Sequence, residues 1–260
     1  MTLAKKSLGQ HFLRNPAILA KIVAAADLAP SDTVLEVGPG EGTLTELLLQ
    51  KAKRVIAVEK DDRLIPILQK KFHDEIAAGK LELIHGDILF FAPPSNYKVV
   101  ANLPYYITGA FLRKFLGGED QPSAMTLLLQ KEVARRIVAP ASPRLRRAGK
   151  ESILSISVKC YGEPRIAGFV KAGSFSPPPK VESAILVIEH ISKRFFEGIS
   201  EEEFFANLKK GFAHPRKLLA SNLGVAPEEL AQCGVAKNAR AEDLSLAEWK
   251  RITSHLNRSR

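Results

Sequence analysis

Two short motifs carry side chains whose types and spacing could do chemistry. The first, Glu36–Gly42, reads EVGPGEG, with a glycine at every second position after an acid. This spacing is not the Gly-x-Gly-x-x-Gly of dinucleotide sites, and Glu41 would repel a pyrophosphate at a helix N-terminus. A cationic ligand suits the loop better, and S-adenosylmethionine carries a sulfonium and an ammonium group that Glu36 can hold directly or through water. The alternative is that the glycines only form a tight turn.

The second motif, Ala101–Tyr106, reads ANLPYY and could act on an adenine amine. Such an amine is a poor nucleophile because its lone pair is delocalised into the ring. Acceptors for its two hydrogens can draw the nitrogen towards a more nucleophilic geometry, and the Asn102 side-chain carbonyl with the Leu103 or Pro104 backbone carbonyl can supply them. Pro104 has a fixed φ, and Tyr105 can stack on an extruded base. The alternative is a proline turn with partly buried aromatic residues.

Two more acids follow predicted strands. Glu59 ends one strand and is placed to accept both hydroxyl hydrogens of a ribose; nicotinamide enzymes use the same device, so Glu59 does not separate the two cofactors. Asp87 follows the next strand and is placed to contact the cofactor's adenine. Each acid alone is also consistent with a solvated strand end or a cap.

These side chains must be positioned by strands that alternate with helices, a pattern that predicts a doubly wound α/β sheet. Its ligand crevice lies at the carboxyl ends of the strands. The pattern predicts a mostly parallel, seven-stranded sheet with helices on both faces. The predicted strands are Thr33–Val37, Arg54–Glu59, Leu81–His85, Lys98–Ala101, Met125–Leu129, Ile153–Val158 and Ala184–Ile188.

The two ends of the chain differ from this α/β region. Asn15 and Pro16 predict a capped helix start, so residues 1–14 form an extended arm within an α/β domain of residues 1–190. From Glu201 to Leu256 the apolar residues have helical spacing, which predicts a small, all-helical C-terminal domain over residues 191–260.

Composition narrows the partner and the compartment. A net charge of +10 favours a polyanionic partner, although solubility alone explains it equally well. The two cysteines, Cys160 and Cys233, favour a reducing cytosol, and no apolar stretch predicts a signal peptide or membrane span. We therefore expect a cytoplasmic protein without membrane contact. The six histidines lack ligand spacing, so we expect no metal.

The sequence resembles the ribosomal RNA adenine dimethyltransferase family over nearly its whole length. Beside the two motifs above, the matching segments are Leu8–Leu13, Leu129–Val133, Phe175–Ser183, Phe212–Leu219 and Asn222–Leu223. The resemblance implies a Rossmann-like class I methyltransferase fold with S-adenosylmethionine as methyl donor. It also implies N6-dimethylation of two adjacent adenosines near the 3′ end of small-subunit (16S) ribosomal RNA, in a pre-30S particle late in subunit biogenesis. We expect the protein to act as a monomer.

The resemblance also implies the site residues. The donor site would comprise His11, Leu13, Gly38, Glu59, Asp87 and Asn102. The catalytic set would comprise Asn102, Leu103, Pro104, Tyr105 and Phe175. His11 stands where many relatives have asparagine, and Phe175 would pack against the target adenine opposite Tyr105. The alternative for Phe175 is a core aromatic beside a proline turn.

One segment departs from the family pattern. Glu151-Ser152 stands where relatives often have Tyr-Gly, after a basic run at Arg144, Arg146, Arg147 and Lys150. This run is either a phosphate-binding loop or a solvated one. A second candidate RNA face lies in the helical domain, at Lys209, Lys210, Arg216 and Lys217.

Three rival functions remain open. An erythromycin-resistance type of methyltransferase shares the fold but acts on large-subunit RNA; the helical-domain motif and Leu103 favour the small subunit. A non-catalytic RNA-binding assembly or transcription factor would not need the intact donor-site residues. A nicotinamide-dependent oxidoreductase would bind a different cofactor.

Overall fold

The computed structural model describes residues 5, 8–139 and 150–258. The strands in these residues are β1 (Phe12–Leu13), β2 (Thr33–Val37), β3 (Arg54–Glu59), β4 (Leu81–His85), β5 (Lys98–Asn102), β6 (Ala124–Gln130), β7 (Glu163–Val170), β8 (Phe175–Ser176) and β9 (Ser183–Glu189). The helices are α1 (Pro16–Ala25), α2 (Thr43–Leu49), α3 (Ile65–Lys71), α4 (His73–Ala77), α5 (Thr108–Gly117), α6 (Lys131–Val138), α7 (Ile153–Lys159), α8 (Glu201–Gly211), α9 (Leu219–Leu223), α10 (Pro227–Gln232) and α11 (Leu246–Arg258). The basic residues Arg144, Arg146 and Arg147 lie outside the described residues.

Seven of the described strands form one sheet in the order β4-β3-β2-β5-β6-β9-β7. The five strands from β4 to β6 are parallel to one another, and helices connect β2 to β3, β3 to β4 and β5 to β6. All five predicted parallel strands are confirmed, because each was a short apolar run with turn residues on both sides. The chain passes from β2 outward to β3 and β4 and returns to β5 on the other side, which opens a crevice at the carboxyl ends.

The other edge of the sheet is antiparallel and differs from the prediction. β9 pairs with β6, and β7 pairs with β9, both antiparallel. The predicted strand at Ala184–Ile188 is confirmed as part of β9, but the predicted strand at Ile153–Val158 is wrong. This segment is α7, because Ser152 and Ser155 form a reciprocal capping box at its start.

The missing edge strand is β7, which the sequence analysis did not identify. β7 contains Pro164, and a β-bulge lies between Ile166 and Gly168. Proline and glycine are depleted in strand interiors but are tolerated at an edge, where one side of the strand has no ladder to complete.

The arm before α1 is held by pairing and by a cap. Asn15 accepts the N–H groups of Ala17 and Ile18 at the start of α1, which confirms the predicted capped start. Before it, β1 pairs antiparallel with β8, so that Leu13 lies opposite Phe175. Phe12 and Leu13 are both buried. The part of the arm next to α1 is therefore held in place by the short strand β1.

Contacts divide the chain into two compact units. The first contains the sheet and consists of the described residues up to Ala134 together with Gly162–Ile191. The second consists of the described parts of Arg135–Tyr161 and Ser192–Arg260, and its regular structure is helical.

The second unit has its own core. Trp249 is fully buried in it, and a Cβ atom at Gly211 would lie 2.4 Å from the Trp249 ring, so that only glycine permits this approach between α8 and α11. Among the helices in the described part of the chain, none combines the length and apolar character needed to cross a membrane.

Candidate active site

A cavity opens at the carboxyl ends of β2 to β5 in the first unit. Most of the predicted site residues line it, although they are far apart in sequence. These are His11, Gly38, Glu59, Asp87, Asn102, Leu103, Pro104 and Tyr105.

The glycine motif forms the floor between β2 and α2. Its three glycines all have positive φ angles, and a Cβ atom at Gly42 would lie 2.5 Å from the Phe72 ring. The motif therefore needs glycine for the turn and for close packing. A tight turn and a ligand site both require positive φ angles at Gly38 and Gly40. Their conformation therefore does not distinguish a structural turn from a ligand-binding loop.

Glu59 joins this loop to the end of β3. One carboxylate oxygen accepts the Gly40 N–H at 3.0 Å, and the other accepts the Asp61 N–H at 2.8 Å. Burial raises the pKa of the Glu59 carboxyl, and these backbone donors oppose the rise. Glu59 thus fixes the loop and still lines the cavity, where its remaining lone pairs can meet a polyhydroxylated ligand.

Glu36 lies beneath the loop, beside a smaller second cavity. Its side chain is 1% exposed, and its Oε2 atom has no hydrogen-bond partner in the described structure. Burial, with the Glu59 carboxylate as a further cause, raises the pKa of Glu36 to about 8. An unpartnered buried carboxylate is a site that a cationic group can satisfy, so the residues present fit a ligand with an ammonium group.

Asp87 is engaged by a lysine in this structure. Its side chain forms an ion pair with Lys60 at 2.7 Å and accepts the Leu89 N–H at 2.9 Å. Lys60 lowers the pKa of Asp87, which stays ionised as a result. The residue lies at the cavity wall, as a contact to an adenine amine requires.

Glu41 does not act as the sequence analysis assumed. Its carboxylate forms two hydrogen bonds at 2.9 Å with the guanidinium of Arg14, and this ion pair ties the arm to the glycine loop. Because Arg14 compensates its charge, Glu41 would repel a pyrophosphate less than the sequence alone predicts. The acidic character of the site comes instead from Glu36, Glu59 and Asp87.

The motif at the end of β5 presents hydrogen-bond acceptors that carry no charge. The Asn102 side chain donates from Nδ2 to the His11 carbonyl at 3.1 Å, which leaves Oδ1 as the accepting end. The Pro104 carbonyl accepts the Ile107 N–H at 3.1 Å inside a short 3₁₀ turn. Of the two backbone acceptors that the sequence left open, the structure therefore favours the Leu103 carbonyl.

Tyr105 stands next to these acceptors and is held at its far end. Its hydroxyl lies 2.7 Å from the Ser183 hydroxyl, and burial raises the pKa of the phenol, which stays protonated. The His11 ring stacks beside it, with the ring centroids 6.0 Å apart. His11 itself donates from Nδ1 to the Pro177 carbonyl at 2.8 Å.

Two predicted site residues lie elsewhere. Leu13 is buried and lines the smaller cavity together with Gly38 and Asn102. Phe175 is 5% exposed, belongs to the hydrophobic core and does not line the larger cavity. Its position matches the core-aromatic alternative more closely than direct contact with a base.

Gln10 and Asp61, for which the sequence predicts no role, join the arm to the segment after β3. Gln10 lines the cavity and donates to the buried Asp61 carboxylate at 2.8 Å. Arg63 donates to the same carboxylate and is the main cause that lowers the pKa of Asp61, with Gln10 as a smaller cause. The position of Asp61 two residues after Glu59 was the available signal, but its contact with the arm depends on the fold.

No group of three potential metal ligands occurs within the described ranges. The predicted absence of a metal is not tested by this observation.

Comparison with solved structures defines the class of protein. A dimethyladenosine transferase from Plasmodium falciparum is 26% identical, with a TM-score of 0.78 over 95% of this chain and 98% of that one. The 23S rRNA methyltransferase ErmE is 27% identical, with a TM-score of 0.74 over 95% of this chain and 99% of that one. The predicted Rossmann-like methyltransferase fold with C-terminal helices is confirmed.

Comparison of sequences defines the family. The model described as ribosomal RNA adenine dimethylase matches residues 1–258. The ribosomal RNA small subunit methyltransferase A of Dehalococcoides mccartyi is 45% identical over 96% of this chain and 87% of its own length. The protein of the same description from Thermosynechococcus vestitus is 40% identical over 98% of both chains. The chain belongs to the ribosomal RNA adenine dimethylase family and is a ribosomal RNA methyltransferase, with S-adenosylmethionine as the methyl donor that this family implies.

Proposed function

We propose that the protein transfers methyl groups from S-adenosylmethionine to N6 of two adjacent adenosines near the 3′ end of small-subunit ribosomal RNA. The observation that carries the proposal is the pair of uncharged acceptors at Asn102 and Leu103, which border an acid-lined cavity. The substrate is the RNA of a pre-30S particle, late in its assembly, and the protein acts as a cytoplasmic monomer.

The donor is held by residues from the arm and from four strand ends. Glu59 binds the ribose hydroxyls, Asp87 binds the adenine, and Glu36 compensates the ammonium group. His11, Leu13, Gly38 and Asn102 complete the walls around it. When bound, S-adenosylmethionine supplies a methyl group that is activated by the adjacent sulfonium.

The target amine is held by Asn102 and Leu103. The Asn102 Oδ1 atom and the Leu103 carbonyl accept its two hydrogens and interact more strongly as the nitrogen gains positive charge. Pro104 fixes the backbone between these acceptors and Tyr105. The Tyr105 ring stacks on the extruded base.

Proton release needs no strong base in this scheme. The aminium nitrogen formed on methyl transfer is very acidic, and Asn102 Oδ1 already accepts one of its hydrogens. The proton passes to water once the amine leaves this contact. Phe175 packs in the hydrophobic core opposite Leu13, and its contact with the target base stays a prediction.

RNA contact is assigned to residues 191–260 as the helical RNA-binding domain. Lys209, Lys210, Arg216 and Lys217 are all exposed in this region. Cationic side chains that neutralise phosphates release counterions and give salt-dependent, largely sequence-independent affinity.

Labelled methyl donor offered to unmodified small and large ribosomal subunits tests this proposal. We expect label in small-subunit RNA alone, because the relatives at 45% and 40% identity are small-subunit methyltransferases by name. Label only in large-subunit RNA would contradict the proposal and favour a 23S rRNA methyltransferase activity like that of ErmE, whose TM-score of 0.74 is close to the 0.78 of the dimethyladenosine transferase. RNA binding without any label would favour a non-catalytic assembly factor.

A further inference from the structure

Ser183 is a buried hydroxyl residue at the first position of β9, outside the predicted site. We propose that Ser183 is the positioning residue that holds the Tyr105 ring in the orientation that receives the target base. This inference rests on the proposed function, because it takes Tyr105 as the ring that stacks on the adenine.

The Ser183 side chain is attached to a rigid part of the sheet. Its backbone pairs with Gln130 of β6 on one side and with Val170 of β7 on the other. The residue is 0% exposed. A hydroxyl group fixed in this way does not move with a surface loop, so its hydrogen bond anchors Tyr105 to the sheet.

Tyr105 needs such an anchor because its own backbone lies in a short 3₁₀ turn, Tyr105–Ile107. The ring turns about two side-chain bonds, and its hydroxyl is the atom farthest from the backbone. The hydroxyl lies on the axis of the second rotation, so the bond of 2.7 Å to Ser183 restrains the first rotation, about the Cα–Cβ bond. The bond therefore fixes where the ring lies, and the plane of the ring depends on its neighbours.

The hydroxyl pair also satisfies two polar groups that have few alternatives. A fully buried hydroxyl without a partner destabilises the fold. The structure gives the Ser183 hydroxyl the Tyr105 phenol as partner, and either oxygen can donate to the other. Serine at this position therefore gives the Tyr105 ring a hydrogen-bond restraint that alanine would remove.

His11 restrains the same ring from another direction. Its ring lies beside Tyr105 at an interplanar angle of 27°, and its Nδ1 atom donates to Pro177 in the segment that leads to Ser183. The His11 carbonyl in turn accepts from the Asn102 amide. The ring that stacks on the base and the amide that binds its amine are thereby held in one connected arrangement.

Three variants test the role of this bond: Ser183→Ala, Tyr105→Phe and the double variant. Each keeps the ring and removes one or both hydroxyl groups. We expect a reduction of about 10-fold in the single-turnover rate for both single variants, because a misoriented ring lowers the fraction of productive complexes. The double variant should be no slower than either single variant, and the affinities for methyl donor and RNA should stay within about twofold of wild type.

Tyrosine-selective NMR gives a readout that does not depend on methyl transfer. The chain has four tyrosines, so the ring signals can be assigned one by one. Ser183→Ala should shift and broaden the Tyr105 signal and leave that of Tyr97 unchanged. Tyr97→Phe is the matched control, because it also removes a phenol with a partner, the Asp120 carbonyl at 3.0 Å. It should lower the melting temperature and leave the rate unchanged.

Two results would overturn the inference. One is a Ser183→Ala variant that loses thermal stability while its Tyr105 signal and its rate stay as in wild type. The other is a Tyr105→Phe variant far slower than Ser183→Ala, since the phenol would then act on the substrate directly. If wild type transfers no methyl group to small-subunit RNA, the proposed function fails, and the NMR result still reports on the bond.

Discussion

The two walls of the cavity differ in charge although neighbouring strands of the same sheet provide them. The acidic wall, at the ends of β3 and β4, carries Glu59 and Asp87, with Glu36 of β2 beside the smaller cavity, whereas the neutral wall, at the end of β5, carries Asn102, the Leu103 carbonyl and Tyr105. Carboxylates suit a ligand that is already cationic. Uncharged dipoles suit an amine that becomes cationic only during the reaction, because their stabilisation grows with the developing charge. The difference implies that the acidic wall mainly sets cofactor affinity and that the neutral wall mainly sets the rate.

The largest effect is expected from Asn102→Ala on the neutral wall. Loss of one preorganised acceptor should abolish measurable methyl transfer, a reduction of at least about 1,000-fold, while RNA affinity stays within about threefold. Single-turnover transfer from labelled donor, together with RNA binding, measures both quantities. Gln69→Ala, which removes an exposed amide on α3, is the control and should behave as wild type. Surviving turnover in Asn102→Ala would show that the acceptor mechanism is wrong.

A smaller effect, on a different quantity, is expected from Glu59→Gln on the acidic wall. The change weakens charge-assisted hydrogen bonds to the ligand and to the Gly40 loop, so donor affinity should fall by about 10- to 100-fold. Calorimetric titration with the demethylated product of the donor measures this loss. Glu82→Gln, on the same sheet but paired with Arg54, should leave the affinity unchanged.

The Glu59→Gln variant also tests whether the two walls have separate roles. At saturating donor, Glu59→Gln should transfer methyl groups at close to the wild-type rate. A rate that stays as low as that of Asn102→Ala would mean that the two walls do not have separate roles.

The smallest effect is expected in the cofactor-free protein, where it depends on pH. Burial raises the pKa of Glu36 to about 8, above its value in the unfolded chain. The folded state therefore binds the proton more tightly, and the free energy of unfolding should fall as pH rises from about 5 to about 8, by a few kcal/mol. In Glu36→Gln this fall should be smaller. The contribution of Glu59, whose pKa burial also raises, should remain.

Urea unfolding at several pH values between about 5.5 and about 8.5 measures this difference. Glu82→Gln serves again as the control, because Glu82 is half exposed, and its curve should run parallel to that of wild type. A Glu36→Gln curve that also runs parallel to wild type would show that Glu36 is ionised in the free protein.

The parallel half of the sheet and the glycine motif could be predicted from sequence because their signals are local. Short apolar runs with turn residues on both sides predicted β2 to β6. Polar residues that directly follow these strands were predicted to lie together at the carboxyl ends of the sheet. The antiparallel edge gave weaker signals. In α7 a capping box overrides a β-branched run, and in β7 the edge position tolerates Pro164 and Gly168.

Contacts within the site were less predictable because they join distant segments. Glu41 looks like an uncompensated acid in the sequence, but in the structure it forms an ion pair with Arg14. The bond between Tyr105 and Ser183 spans 78 positions, and Gln10 reaches Asp61 across 51. Such pairs are set by how the arm and the β8–β9 segment cross the ends of the strands.

Mass spectrometry of small-subunit RNA from cells that lack this gene tests the central claim most directly. The account predicts that two adjacent N6,N6-dimethyladenosines near the 3′ end are lost, that the wild-type gene restores them and that the Asn102→Ala gene does not. Persistence of both modifications without the gene, or their restoration by Asn102→Ala, would contradict it.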